Sequence, residues 1–319
     1  MKQAILAASC AALTAATLMA GPALAGDADI MRRIRDPQGG LIVIAHRGCH
    51  EAAPAHGFGP APENSALALE RCVAMGVDVM ETDVRKTRDG YLVIMHDDAV
   101  ERTTDGAGAV ERLSLAEIRH LHLRQNMGGA KAVLTDQTVL TLDEMLALAK
   151  GRIVLNLDVK APIYAEVVDA VLRHGAQDGV IVKTFGGLGT APLAAMVPFN
   201  SVPFAVIPTS ADKRGSDIPE VMEQQAAARP RPVAFELPVV PVESLPALGA
   251  KARQLGLRLW INTLAPGFVE GQGNDRQALA KPDSIWGALC RAAASMLQTD
   301  YPEALLLYRD GHAANGKKG

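Results

Sequence analysis

Short apolar runs alternate with longer amphipathic stretches along most of the chain, and this alternation predicts a repeated strand–helix unit. The apolar runs are four to eight residues long and nearly continuous, which is typical of parallel strands that are buried on both faces. The predicted strands are Leu41–Ala45, Val77–Val84, Ile153–Val159, Gly179–Lys183, Val202–Val206, Val233–Leu237, Leu257–Ile261 and Ser295–Gln298.

A helical pattern follows each of these strands. The clearest helical patterns are Ser65–Met75, Leu142–Ala149, Tyr164–His174, Pro219–Ala228, Ser244–Leu255 and Tyr301–Tyr308. Eight such units in a chain of this length favour an α/β fold, a closed TIM (β/α)8 barrel, over an open doubly wound sheet. Two segments interrupt the repeat. We expect a small insertion after the second strand, beginning with a short strand at Tyr91–Met95, and an extended loop, Pro266–Pro282, after the seventh strand.

The first 25 residues have the pattern of a secretory signal peptide. Lys2 supplies the positive charge, Ala4–Ala20 is an apolar run, and Ala23-Leu24-Ala25 is a small-residue cleavage site. An uncleaved anchor helix is the alternative, but the run is short and weakly hydrophobic for that role. We therefore expect signal removal, a periplasmic or secreted location and no stable membrane insertion afterwards. The mature chain is then a single barrel domain, residues 26–314, with a disordered polar tail, residues 315–319.

Composition narrows the possible functions. The 319-residue chain carries 32 Lys and Arg against 35 Asp and Glu, a net charge of −3, which argues against nucleic-acid binding through bulk charge. A hydrophobic fraction of 49% excludes a disordered protein. Beyond the leader the cysteines are Cys49, Cys72 and Cys290, so at most one intrachain disulfide can form. Whether Cys49 pairs with Cys72 is left open.

Polar side chains collect at the carboxyl ends of the predicted strands, which share one rim in a parallel barrel. These side chains are His46 and Arg47 after the first strand, Glu81 and Asp83 in the second, His96 after the extra strand, and Asn156, Asp158 and Lys160 in the third. Residues two apart in a strand leave the same face. We therefore expect three carboxylates to meet at the barrel mouth.

Three unpaired carboxylates at one place would repel and raise one another's pKa values. A hard divalent cation with oxygen ligands, Mg²⁺ or Ca²⁺, removes this conflict. The alternative is a structural salt-bridge network with Arg47, Arg85 and Lys160, and spacing alone does not decide between the two.

Two histidines beside such a cluster suggest an acid and a base acting on an anionic substrate. His46 and His96 each stand at a strand-to-loop junction, and the fork of Arg47 matches phosphate oxygens. The chain has neither a Ser–His–Asp nucleophile pattern nor a P-loop, which disfavours covalent serine chemistry and nucleotide phosphoryl transfer. The residues alone thus predict metal-assisted hydrolysis of an anionic ester.

An ordered set of motifs resembles the glycerophosphodiester phosphodiesterase family, which belongs to the TIM barrels similar to phosphatidylinositol phospholipase C. The matching pieces are His46-Arg47-Gly48, Ala61-Pro62-Glu63-Asn64-Ser65, Glu81-Thr82-Asp83-Val84, Asp89-Gly90, His96-Asp97, Arg102-Thr103-Thr104-Asp105-Gly106, Leu155-Asn156-Leu157-Asp158-Val159-Lys160, Trp260-Ile261-Asn262 and Gln298-Thr299-Asp300-Tyr301-Pro302. Each piece is weak by itself, but the ordered set covers nearly the whole mature chain.

The resemblance implies an enzyme that hydrolyses a small-molecule glycerophosphodiester to sn-glycerol 3-phosphate and an alcohol. It implies an attack by the substrate's own hydroxyl and a cyclic phosphate that water then opens. The implied roles are one divalent cation, Ca²⁺ or Mg²⁺, on Glu81, Asp83 and Asp158; general acid and base for His46 and His96; and substrate or phosphate binding for Arg47, Glu63, Lys160, Trp260 and Asn262.

Some of these roles have structural alternatives. Glu63 could instead belong to a helix start, and Trp260 and Asn262 could be barrel packing. Asp158 stands where the family usually has Glu, so its reach is one methylene shorter. The segment between Gly48 and Pro62 is longer than in many relatives, and we expect its His50 and His56 to be solvated. Lys183 could add a cation or lie at the surface.

Two other functions compete with this interpretation. A lysophospholipase-D-like or cyclising lyase activity on lipid phosphodiesters would use the same residues, and a broad apolar mouth would favour it. A non-catalytic periplasmic binder of phosphate esters is a rival of another class. The presence of both histidines and all three acids argues against the binder.

Overall fold

The computed structural model describes residues 25–211 and 215–316, with side chains up to residue 312. The strands are β1 Ile42–Ala45, β2 Val79–Lys86, β3 Leu92–Ile94, β4 His122–Arg124, β5 Leu134–Thr138, β6 Val154–Val159, β7 Val180–Gly187, β8 Phe204–Thr209, β9 Ala234–Leu237, β10 Val240–Pro241, β11 Arg258–Asn262, β12 Val269–Glu270 and β13 Met296–Thr299. The helices are α1 Asp27–Arg35, α2 Ala66–Met75, α3 Leu115–Ile118, α4 Leu142–Ala149, α5 Tyr164–Arg173, α6 Ile218–Ala227, α7 Leu245–Leu255, α8 Asp275–Ala280, α9 Ala288–Arg291 and α10 Pro302–Gly316.

Eight parallel strands close into a barrel in the order β1-β2-β6-β7-β8-β9-β11-β13, and β13 pairs with β1. The predicted TIM (β/α)8 fold is therefore confirmed, and each of the eight predicted apolar runs lies within four residues of a barrel strand at either end. The register between β2 and β6 sets Asp83 beside Asp158. This register brings the predicted carboxylates to neighbouring strands at one end of the barrel.

The insertion lies where the sequence predicts it, between β2 and α4. Strand β3 pairs antiparallel with the end of β2, and β4 and β5 form a small hairpin. A separate apolar cluster, which includes Val93, Val110 and Ile118, holds this insertion together. The insertion therefore has a core of its own and extends one side of the barrel mouth.

Two expectations about the connections were wrong. The unit after β7 has no α-helix among its described residues; two short 3-10 turns, Leu193–Ala195 and Phe199–Ser201, stand there instead. The segment Pro266–Pro282 is not simply a loop, since it contains β12 and α8. Strand β12 pairs with β10, and Asn274 and Gln277 form a capping box at the start of α8.

The amino-terminal end of the barrel is closed by α1, which sequence periodicity did not predict. Its Ile30, Met31 and Ile34 are buried against the inward-facing residues of the barrel strands. Asp27 and Asp29 lie in the first turn and three arginines in the last, a charge order that complements the helix dipole. This helix acts as an apolar plug at the end of the barrel opposite the predicted site.

Cys49 and Cys72 form a disulfide, which links the loop after β1 to α2. Cys290 is a free thiol. Helix α2 begins at its cap residue Ser65, whose hydroxyl accepts the Ala68 N–H, and ends at Gly76 in the left-handed region. The loop after β1 is thereby fixed to a regular helix.

Both predicted ends of the chain fall partly outside the described residues. Of the predicted signal peptide, residues 1–25, only Ala25 is described. Helix α10 continues through Gly316, so it includes the first two residues of the predicted tail, and residues 317–319 lie outside the description. Within residues 25–211 and 215–316, none of the helices has the length and apolar character needed to cross a bilayer.

Candidate active site

A cavity of about 680 Å³ opens at the carboxyl end of the barrel strands. Its lining includes the polar side chains of His46, Glu81, His96 and Asp158. It also includes the apolar side chains of Val159, Phe185, Ile207, Pro238, Leu264 and Phe268. The predicted site and these apolar side chains thus share one cavity.

Glu81, Asp83 and Asp158 converge, each with one carboxylate oxygen within 4.8 Å of the others, and Glu81 and Asp158 line this cavity. The main-chain N–H of Arg47 donates to Oε2 of Glu81 at 2.8 Å. The ammonium of Lys160 lies 2.9 Å from an oxygen of Asp83 and 2.9 Å from an oxygen of Asp158. The predicted convergence of the three acids is therefore present in the structure.

The surroundings of the acids leave negative charge only partly compensated. Burial, together with the neighbouring Asp83 carboxylate, raises the pKa of Glu81 well above its usual value. Burial would raise the pKa of Asp83 too, but Lys160, His96 and Arg47 outweigh it and hold that pKa below its usual value. Lys160 forms part of the salt-bridge network that was considered as the alternative to a metal site. Arg85 is directed elsewhere and donates to the carbonyl of His96 at 2.9 Å.

These residues fit a hard divalent cation. The three ligand candidates offer only carboxylate oxygens, the donors that Ca²⁺ and Mg²⁺ prefer. Burial and repulsion by the Asp83 carboxylate together disfavour the charged form of Glu81. A bound cation would remove that repulsion, so Glu81, Asp83 and Asp158 are the residues that would hold it.

Both predicted histidines line the cavity, and each has an aspartate on its Nδ1. His46 Nδ1 lies 2.8 Å from Oδ1 of Asp300, and His96 Nδ1 lies 2.7 Å from Oδ1 of Asp97. An aspartate on Nδ1 fixes the proton there and leaves Nε2 as the reactive nitrogen. The structure therefore prepares two imidazoles of the same cavity in the same way.

The two imidazoles differ in burial. Burial lowers the pKa of His46, and the hydrogen bond with Asp300 opposes that shift. The Nε2 of His46 accepts a hydrogen bond from Nε of Arg47 at 3.2 Å, which requires a free lone pair. The side chain of His96 is 33% exposed. His46 is accordingly held neutral, whereas His96 has access to solvent.

Arg47 and Asn64 adopt left-handed backbone conformations, with φ of 51° and 57°. Non-glycine residues adopt this region rarely and at an energetic cost, which is characteristic of functional sites. The conformation of Arg47 directs its N–H to Glu81, and Nδ2 of Asn64 donates to Asp83 at 2.8 Å. The turn after β1 and the start of α2 thus hold two of the acids.

Glu63 lies beneath the surface of the site, not in the cavity wall. It is 2% exposed and accepts hydrogen bonds from Arg47 and from both terminal nitrogens of Arg102. Arg102 also donates to both oxygens of Asp97, the partner of His96. Glu63 therefore holds Arg102, which in turn binds Asp97, the partner of His96. This contact is distinct from the two roles considered for Glu63 above, substrate binding and helix initiation.

Lys183 enters the cavity from β7 and is almost fully buried. Its Nζ lies 3.0 Å from Glu236 and 3.7 Å from Asp158, and these acids outweigh burial and raise its pKa. Asn262 donates to the same Glu236 at 2.9 Å. Trp260 is fully buried with its ring centroid 5.0 Å below Nζ of Lys183. Asn262 thus lines the cavity as predicted, while Trp260 belongs to the barrel packing beneath it.

Two amide oxygens at the cavity are buried without a hydrogen-bond partner among the described residues: Oδ1 of Asn262 and Oε1 of Gln298. Buried polar atoms of folded proteins are nearly always paired. Both oxygens are available to accept a hydrogen bond from water or from a bound ligand.

One expectation about the loop after β1 was wrong. His50 is not solvated: its side chain is fully buried and its Nε2 lies 3.3 Å from Asp300. His56 remains partly exposed and its Nδ1 lies 2.7 Å from Glu303.

Sequence reasoning assigned no role to Asp97, Arg102, Glu236 and Asp300. A signal for Asp300 was available, because it follows β13 just as His46 follows β1, and these strands are neighbours. Glu236 also had a signal, as a charged residue near the carboxyl end of the predicted strand Val233–Leu237, and Arg102 begins one of the motifs of the resemblance.

Comparison with known proteins agrees with this geometry. The sequence profile of the glycerophosphoryl diester phosphodiesterase family matches residues 46–191, which hold both histidines and all three acids. Residues 46–191 belong to this family. A second profile, that of a domain of unknown function, matches residues 204–309. The family's profile thus covers the part of the chain that supplies the acids, and the later strands complete the cavity.

A glycerophosphodiester phosphodiesterase of Caldanaerobacter subterraneus is 30% identical over 164 residues, which are 49% of this chain and 63% of that relative. The chain thus matches less than two thirds of that relative's length. A solved glycerophosphoryl diester phosphodiesterase of Parabacteroides distasonis has the same fold, with a TM-score of 0.67 and 18% identity over 91% of this chain and 93% of the other.

A second solved structure, a phosphodiesterase of Oleispira antarctica, was determined in complex with the product sn-glycerol-3-phosphate. It is 22% identical to this chain, with a TM-score of 0.55 over 83% of this chain and 94% of the other. At this identity the likeness concerns the fold alone.

Proposed function

We propose that the protein is a metal-dependent phosphodiesterase that hydrolyses glycerophosphodiesters to sn-glycerol 3-phosphate and an alcohol. The observation that carries the proposal is that two imidazoles, each with an aspartate on Nδ1, line the same cavity as two members of a three-carboxylate cluster, Glu81 and Asp158. The family to which residues 46–191 belong supports it, as does the product bound by the structural neighbour from Oleispira antarctica.

The two histidines would move the protons of the reaction. His46 suits the base, because its buried ring is neutral and its Nε2 offers a lone pair. It would take the proton of the substrate hydroxyl next to the phosphodiester, and that oxygen would attack phosphorus. His96 would protonate the departing alcohol oxygen at its own Nε2. Water would then open the cyclic phosphate, with the two roles reversed.

The cations around the acids would bind the phosphoryl group. Arg47 presents a guanidinium and Lys160 an ammonium at the cavity wall, and both charge-assisted contacts strengthen as negative charge builds on the phosphoryl oxygens. A divalent cation, Ca²⁺ or Mg²⁺, bound by Glu81, Asp83 and Asp158 would add positive charge that stabilises the same oxygens.

A second candidate function is favoured by the apolar side chains of the cavity. Phe185, Ile207 and Phe268 line the same cavity as the charged groups, and Phe185 is 65% exposed. Such a lining suits the hydrocarbon part of a lipid phosphodiester, so a lysophospholipase-D-like or cyclising lyase activity is the alternative that the same residues would perform. A barrel that binds phosphate esters without turnover remains the rival of another class.

One experiment separates these functions. Phosphorus NMR of digests of glycerophosphocholine, glycerophosphoethanolamine and a lysophospholipid, with Ca²⁺ or Mg²⁺ present, identifies every phosphorus product. Glycerol 3-phosphate supports the proposal, and lysophosphatidic acid or a persistent cyclic phosphate supports the alternative. Unchanged substrates together with saturable binding would replace both with the binder.

We propose also that the protein is exported. The signal-like residues 1–25 and the Cys49–Cys72 disulfide support this location, because disulfides persist in oxidising compartments. Amino-terminal sequencing of the protein recovered from its native cell should find a chain that begins at Gly26. A chain recovered from the cytosol with its leader intact would contradict export.

A further inference from the structure

His50 is a buried imidazole that the proposed reaction leaves without a role. Its side chain has no exposed surface, and its Nε2 lies 3.3 Å from Oδ1 of Asp300. The same oxygen lies 2.8 Å from Nδ1 of His46. One carboxylate oxygen therefore joins a buried imidazole to the imidazole that faces the cavity.

The positions of the ring protons follow from the partners. His46 Nε2 accepts a hydrogen bond from Arg47, so its proton is on Nδ1 and points to Asp300. His50 Nδ1 is buried with no hydrogen-bond partner among the described residues, so its proton belongs on Nε2, where Asp300 can accept it. Asp300 thus receives two N–H donors, and these two hydrogen bonds outweigh burial and keep its pKa low.

The main chain around His50 is fixed from several sides. Its N–H donates to the carbonyl of Gly48 at 3.0 Å, and its carbonyl accepts the N–H of Ala61 at 2.9 Å. The preceding residue, Cys49, is bonded to Cys72 in α2. A side chain on so constrained a backbone can hold its partner in one orientation.

We propose that His50 is a positioning residue, which holds the Asp300 carboxylate so that His46 keeps its proton on Nδ1 and its Nε2 unprotonated. A carboxylate with a single donor can rotate and release it, and a second buried donor on the same oxygen opposes that rotation. His50 acts through Asp300 and His46 and does not touch the substrate. The inference rests on the proposed function, since it assigns His46 its role in turnover.

A matched pair of variants tests the donor itself. His50→Leu keeps most of the volume and removes the N–H, whereas His50→Gln places an amide N–H at about the same reach. We expect His50→Leu to lower kcat about tenfold with KM unchanged, because one hydrogen bond to a charged group is lost. We expect His50→Gln to keep kcat within about a factor of two. Equal losses in the two variants, or none in His50→Leu, would overturn the proposal.

His56 provides the control within the same loop. It also pairs with a carboxylate, that of Glu303, but lies away from His46 and is partly exposed. His56→Leu should leave kcat unchanged. A further test is the Asp300→Asn background, in which His50→Leu should have no additional effect, since its action runs through Asp300. A tenfold loss of kcat from His50→Leu in the Asp300→Asn background would contradict an action through Asp300.

The wild-type protein gives a readout that needs neither turnover nor a folded variant. A nitrogen-15 spectrum of the imidazole rings should show the proton of His46 on Nδ1 and that of His50 on Nε2. A proton on Nδ1 of His50 would overturn the proposal even if the enzyme is active. If the wild-type protein hydrolyses no diester, the proposed function fails, and the spectrum still decides whether His50 and His46 share Asp300.

Discussion

At its amino-terminal end the barrel buries the guanidinium of Arg258, and at its carboxyl end it buries the carboxylates of Glu81 and Asp83. Arg258 donates to main-chain carbonyls at the end of α1, in the loop that follows it and before β13. Burial lowers its pKa to about 10, so it stays charged at neutral pH with every contact supplied by its own chain.

The carboxyl end is arranged differently. Glu81 keeps a strongly raised pKa because burial and Asp83 disfavour its charged form, and Asn262 and Gln298 each bury an oxygen without a partner among the described residues. Unpaired buried polar groups reduce stability. At the amino-terminal end of the barrel, the buried charge of Arg258 therefore stabilises the fold. At the carboxyl end, a bound ligand would be needed to compensate the buried negative charge.

Removal of the metal should have the largest effect at the carboxyl end. EDTA should abolish diester hydrolysis, and added Ca²⁺ or Mg²⁺ should restore it. Since a cation that binds only the folded state also raises the melting temperature, calorimetry with and without the cation gives a second readout. Glu81→Gln should lose that increase in melting temperature. Full activity in metal-free protein would end the metal assignment.

Loss of either imidazole should come next. His46→Ala and His96→Ala should each lower kcat by about two to four orders of magnitude, because a positioned acid or base contributes that much. Circular dichroism should show an unchanged fold. His120, an exposed histidine at the end of α3, is the matched control, and His120→Ala should be fully active. Normal kinetics in both site variants would remove the acid–base assignment.

At the amino-terminal end the effect should fall on stability. Arg258→Met leaves several buried carbonyls unpaired and should lower the free energy of unfolding by about 4 kcal/mol, measured by urea denaturation, with kcat unchanged at low temperature. Arg291→Met removes an exposed ion pair with Asp283 and should leave the free energy of unfolding nearly unchanged, because exposed ion pairs contribute little. A large loss of kcat in Arg258→Met would mean that the two ends are coupled.

The sequence predicted the barrel and its acid cluster because both follow from local rules. Strands buried on both faces are continuous apolar runs, and the alternation of side chains places Glu81 and Asp83 on one face. Parallel pairing of β2 with β6 then adds Asp158. These steps require only the order of nearby residues and the barrel topology, and both can be inferred from a single sequence.

The missed features depend on partners that are distant in the chain. His50 and Asp300 are 250 positions apart, so the loop histidine looked like a solvated residue. Five of the nine residues of α1 are charged. Its three apolar side chains indicate a buried helix only when the open end of the barrel that they fill is known. Lys183 likewise gives no sign of burial until Glu236 is placed beside it.

The smallest expected effect concerns Asp275. This residue also lies at the carboxyl end of the barrel, but its hydrogen-bond partners come from the protein itself. It is fully buried, accepts the Asp300 N–H at 2.8 Å and accepts the hydroxyl of Thr263. Burial raises its pKa from 3.8 to about 6. The folded state therefore binds this proton more tightly than the unfolded state, and the resulting stability is lost as the pH rises from about 4 to 6.

Asp275→Asn should remove that pH dependence. The raised pKa corresponds to about 3 kcal/mol, so the wild-type protein should lose up to about that much free energy of unfolding, relative to the variant, between pH 4 and 7. Urea denaturation at both pH values measures the difference. Asp136→Asn, at an exposed position of β5, should follow the wild-type curve. If Asp275→Asn also follows it, Asp275 is ionised across this range, and the carboxyl end then holds one more uncompensated carboxylate beside Asp300.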